Sequence, residues 1–76
     1  MNYITKKIGK FELEVGDEPE VVTNPFSGQS TTLEPEAVAL YDLIKGAEYI
    51  GDFKTVRAGL TLFSKNWPKE YMILLD

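Results

Sequence analysis

The chain has 76 residues, no cysteine, no histidine and a formal net charge of −4. It therefore lacks disulfides, thiolate zinc ligands, the commonest metal ligand and the usual acid–base group near neutral pH. A polypeptide this short makes at most one domain and buries only about 60% of its unfolded surface, so aromatic packing or self-association has to add stability.

The net charge conceals three blocks. Residues 1–10 carry Lys6, Lys7 and Lys10 and no acid. Residues 11–52 hold ten acids and one base, Lys45. Residues 53–76 hold four bases and two acids. The acidic majority disfavours nucleic-acid phosphate as the main partner, because that contact needs a basic face. It suits a basic patch on another protein, although a merely solvated acidic surface has the same composition. No run of the chain approaches the length of a membrane span. Residues 1–7 place no long apolar region behind a basic one, so no signal peptide is expected and a cytoplasmic location is the default.

In chain order, residues 3–15 read as a β-hairpin. Gly9-Lys10 is a two-residue loop with glycine first, the type II′ pattern. That turn sets Ile8 opposite Phe11, Lys6 opposite Leu13 and Ile4 opposite Val15, with Lys6 alone polar on the face. The other face opposes Lys7 to Glu12 and Thr5 to Glu14, which supports the register. Gly16-Asp17-Glu18-Pro19 is a turn by composition. Glu20-Val21-Val22-Thr23 is a candidate third, edge strand. Asn24-Pro25-Phe26-Ser27-Gly28 is a second turn, with Phe26 expected to plug into the core. Residues 29–33 are extended or irregular.

Residues 32–67 are the organising stretch, two amphipathic helices broken at Gly51-Asp52. On a wheel of about 100° per residue, Leu40, Ile44 and Ala47 centre a broad apolar face of the first helix. Pro35 marks its first turn, with Thr32 and Glu34 competing as N-cap. Gly51 ends the helix and Asp52 caps the next. Phe53, Val56, Leu60, Phe63 and Trp67 form one narrow stripe. Each helix has an interior glycine, Gly46 and Gly59, which points to close backbone approach at both, with a functional hinge as the alternative. Pro68 opens a short C-terminal helix, although residues 71–75 also fit a buried strand.

No catalytic constellation is present. Ser27, Ser30 and Ser64 have no histidine partner, and Ser27-Gly28-Gln29-Ser30 matches no phosphate loop. The carboxylate pairs Glu34/Glu36 and Asp42/Glu48 need a shaped cleft to do acid–base work. A non-enzymatic protein without cofactor or metal is expected. The more informative residues are those opposite the apolar faces. Val38 and Tyr49 share the far side of the first helix with Asp42, and Leu62 lies opposite the stripe of the second. Either the hairpin and C-terminus cover them, or Val38, Asp42, Glu48, Tyr49 and Leu62 belong to a protein-binding surface.

Four strings resemble a group of small proteins of tailed bacteriophages: Asn24-Pro25-Phe26-Ser27-Gly28, Leu33-Glu34-Pro35-Glu36, residues 39–48 and residues 67–76. The resemblance spans residues 24–76 and leaves the N-terminal hairpin outside. It implies a viral origin and expression in a bacterial host. It carries no known active site, so no functional residue transfers from it.

The expected fold is α+β, an N-terminal antiparallel β-hairpin with a candidate third strand, packed on a helical hairpin with a short C-terminal element. The expected function is that of a bacteriophage accessory protein binding a host or phage protein through an acidic surface. The alternatives are a self-associating structural protein, using Tyr49, Val38 or Leu62, and a small-ligand binder with a pocket lined by Tyr41, Tyr49 or Trp67.

Overall fold

The computed structural model describes residues 2–76 and has the expected α+β class. Its elements are β1 (Ile4–Ile8), β2 (Phe11–Val15), β3 (Glu20–Thr23), β4 (Ser30–Leu33), α1 (Pro35–Ile50), α2 (Phe53–Asn66) and α3 (Pro68–Leu74).

β1 and β2 pair in the predicted antiparallel register, with Ile8 opposite Phe11, Lys6 opposite Leu13 and Ile4 opposite Val15. Gly9 takes φ +59°, and no described non-glycine residue has a positive φ. This is the II′ arrangement that matches the right-handed twist of the strands. Lys6, out of place on an apolar face, finds its partner across the fold: its ammonium donates to Glu36 in the first turn of α1. Ile8 and Val15 are buried, whereas Ile4 at the open end of the hairpin is 61% exposed.

Glu20–Thr23 is a strand, but it does not extend that sheet. β3 pairs with β4, Glu20 opposite Leu33 and Val22 opposite Thr31, so the described residues form two separate two-stranded sheets. The segment read as extended or irregular is extended, and supplies the partner strand. Asn24 closes the connecting loop. Its backbone N–H donates to the Gln29 carbonyl at 2.8 Å and its carbonyl accepts from the Gly28 N–H at 2.8 Å. Its side-chain oxygen accepts from the Phe26 N–H at 2.9 Å. The loop is thus fastened by its own polar groups and its tip points outward. Phe26 is 98% exposed and is no plug. The Asn24 amide donates to the Ile73 carbonyl at 3.0 Å, which ties the second hairpin to α3.

Glu34 is the N-cap of α1, extended and without a side-chain cap bond, and Pro35 sits in the first turn. Its carboxylate is engaged elsewhere, accepting from the Trp67 indole N–H at 2.9 Å. The predicted apolar face is the buried one: Ala37, Leu40, Ile44 and Ala47. Asp52 caps α2, accepting from the Thr55 N–H at 3.3 Å and its hydroxyl at 2.6 Å. Those bonds stabilise the carboxylate and lower its pKa. α2 buries Val56, Gly59 and Phe63. Phe53, assigned to the same stripe, is 67% exposed; Tyr49 and Ile50 beside it are also exposed, so no described residue covers the tip of the helical hairpin.

The two interior glycines differ. A Cβ on Gly59 would lie 2.6 Å from Ile44 Cγ1, so α1 and α2 approach closely there. A Cβ on Gly46 would meet no described atom of a neighbouring element within 4 Å, so the expected close approach is absent there. α3 is the helix expected after Pro68, and Leu74 is its buried residue. Trp67 packs on Phe63 with ring centroids 5.3 Å apart. Leu33, the four buried residues of α1, Val56, Phe63 and Leu74 make one contiguous core.

Candidate functional site

Two concave surfaces of opposite charge flank this core. The first is a groove of about 220 Å³ between the end of β2, the connection to β3 and the outer side of α1. The chain bends at Asp17-Glu18, between Gly16 and Pro19, and Asp17, Glu18 and Glu20 form the rim. Glu14 adds a fourth carboxylate and Asp42 on α1 a fifth, while Tyr3, Pro35 and Val38 provide apolar wall. No lysine or arginine lines it. Partial burial raises the pKa of Asp42, and the nearby charge of Glu20 raises it further. Among the described residues, the groove gathers negative charge on a partly apolar wall.

The second surface is a broader groove of about 540 Å³ between the β1–β2 turn and the outer face of α2. Phe11, Ala58 and Leu62 form its apolar floor, and Lys10, Lys54, Arg57 and Lys65 stand around it. Lys54, Arg57, Ala58, Thr61, Leu62 and Lys65 recur at helical spacing, so they share one face of α2. Gly9 closes over Leu62, and a Cβ on it would be 2.6 Å from Leu62 Cδ2. The Lys10 ammonium lies 5.7 Å from the Phe11 ring centroid. Among the described residues, the ion pairs are Lys6–Glu36 and Lys45–Glu48, so the four cations of this groove have no carboxylate at ion-pair distance.

The structure divides the five residues singled out in the sequence. Val38 and Asp42 line the acidic groove. Leu62 lies in the basic groove, half-covered by the hairpin turn. Glu48 and Tyr49 line neither. Glu48 is held by Lys45 at 3.2 Å, and Tyr49 is 92% exposed at the hairpin tip. Tyr41, Tyr49 and Trp67 do not line a shared pocket in either groove, because Trp67 is committed to Phe63 and Glu34. The acidic rim at 14–20 was visible only as a count of acids. The basic face was visible as Lys54, Arg57, Thr61 and Lys65 at three- and four-residue steps, a stripe obscured by the negative total.

Among the described residues, no group of three or more potential ligands is arranged to hold a metal ion. No described helix is long and apolar enough to cross a membrane. No protein-family model matches the chain, and neither a curated protein nor a solved structure matches it significantly.

Proposed function

We propose that the chain is a small non-enzymatic bacteriophage accessory protein that binds a host or phage protein through its acidic groove. The viral assignment rests on the resemblance of residues 24–76. The binding assignment rests on one observation: five carboxylates line a groove to which no described lysine or arginine contributes. The charge of Glu20 disfavours the ionised Asp42 carboxylate, and a cationic segment entering the groove relieves that repulsion. Tyr3, Pro35 and Val38 offer it apolar contact as well.

Affinity capture from bacterial lysate tests this reading. The unmodified protein is expected to retain a basic partner at low salt and release it at high salt, since screening over about 10 Å at 0.1 M weakens such contacts. Glu20→Lys with Asp42→Lys is expected to retain none of it. Equal capture by that variant at low salt would refute the acidic groove as the binding face.

A further inference from the structure

The basic groove is not used by the function proposed above, and its chemistry is specific. It has four cations without a carboxylate at ion-pair distance, set around a floor of Phe11, Ala58 and Leu62. Its occupant has to bring several carboxylates and an apolar side chain together. A long nucleic acid meets only half of that demand. It also meets a molecule of net charge −4, which repels a polyanion over the whole surface.

The chain itself carries a segment with the required chemistry. Asp17, Glu18 and Glu20 are exposed on the connection into β3, and the next residue, Val21, is 69% exposed. The two grooves share no lining residue, so both are open on one molecule. Dimensions agree as well. Lys54 and Lys65 are separated by about 16 Å along a helix axis, and residues 17–21 extend at most about 14 Å.

We infer that the basic groove of one copy receives the acidic 17–21 segment of a second copy, in a head-to-tail contact. This rests on the reading of the acidic side as a protein-binding face, and it names one partner for that face. Lys54 and Arg57 meet carboxylates of the neighbouring molecule, and its Val21 lies on Leu62. The contact is heterologous, so a pair of copies keeps one groove and one segment free, on different molecules, for further copies. A domain of 76 residues gains stability from such assembly.

Sedimentation equilibrium across a range of protein concentrations, at low and high salt, tests the inference. At low salt the average mass is expected to rise with concentration above the 8.6 kDa of one chain, and to return to it at high salt. Lys54→Gln with Arg57→Gln removes only the groove, and Asp17→Asn with Glu20→Gln removes only the segment. These are exposed positions, and circular dichroism confirms that each variant folds. Each variant alone is expected to stay monomeric. Their equimolar mixture is expected to form a dimer and stop there, because one competent groove meets one competent segment.

A monomer mass under all conditions overturns the inference. If lysate capture through the acidic groove persists in that case, the proposed function stands and only the self-contact falls. Association that neither variant weakens also overturns it and moves the contact to the exposed tip at Tyr49, Ile50 and Phe53. So does a mixture that fails to dimerise. A mass increase abolished by nuclease overturns it in favour of nucleic acid.

Discussion

The two β-hairpins have the same number of strands and different origins. β1–β2 turns on Gly9-Lys10, and opposed charges and apolar pairs across the strands set its register. β3–β4 is joined by residues 24–29 and is fastened by Asn24, whose amide reaches 49 positions along the chain to Ile73. An isolated two-stranded hairpin is marginal in water, so both need the helices. The first brings its own turn and register to the helices, whereas the second is held by the contacts of β4 with α1 and α3. Local turn chemistry can therefore specify one hairpin while tertiary contacts specify its neighbour in the same chain.

Leu33→Ala probes that difference most strongly. Leu33 is fully buried on β4 in the common core, and its truncation is expected to cost about 2–5 kcal/mol in chemical denaturation. A loss below this range would show that the second hairpin docks loosely. Asn24→Ala comes next. It leaves the Ile73 carbonyl and the Phe26 N–H without their partner, and a loss of about 1–3 kcal/mol is expected. Hydrogen exchange should then quicken in β3–β4 and leave β1–β2 protected.

Gly9→Ala tests the first hairpin in turn. It forces an L side chain to φ +59° against Leu62, with an expected cost of about 1–2 kcal/mol. Exchange in β3–β4 should be unaltered; a change there would mean that the hairpins are coupled.

The smallest effect belongs to Lys6→Met. The pair with Glu36 is half exposed, and such pairs contribute about 0.2–1 kcal/mol. Its pH signature is more diagnostic. The Lys6 hydrogen bond lowers the pKa of Glu36 from its ordinary 4.5, so this stabilisation is present above that value and fades as pH falls through the folded value. Lys6→Met should flatten that part of the acid limb of the stability curve. Asp42 has the opposite sign. Its raised pKa makes its contribution favourable below the ordinary 3.8 and lost as pH rises through the folded value. Asp42→Asn is accordingly expected to stabilise the protein slightly at neutral pH.

Of the candidate site, the sequence exposed fragments. Val38 and Asp42 were found because a helical wheel places them away from Leu40 and Ile44. Glu14, Asp17, Glu18 and Glu20 were not found as a group, because no periodicity connects a strand end and a turn to a helix. Tyr49 and Glu48 were assigned to the same surface, yet they lie beyond the groove on the last turn of α1.

Residue order alone determined what depends on neighbours within a few positions. The II′ turn, the β1–β2 register, the Gly51 stop, the Asp52 cap and the buried face of α1 follow from backbone sterics, cross-strand pairing and helical periodicity. Tertiary structure decided what depends on distant partners. It gave β3 the strand β4 rather than the first sheet, turned Phe26 outward, and distinguished Gly59 beside Ile44 from Gly46 in open space. It also separated the acids and bases of an acidic chain into two grooves, because charges far apart in sequence become neighbours only after the core has set the elements in place.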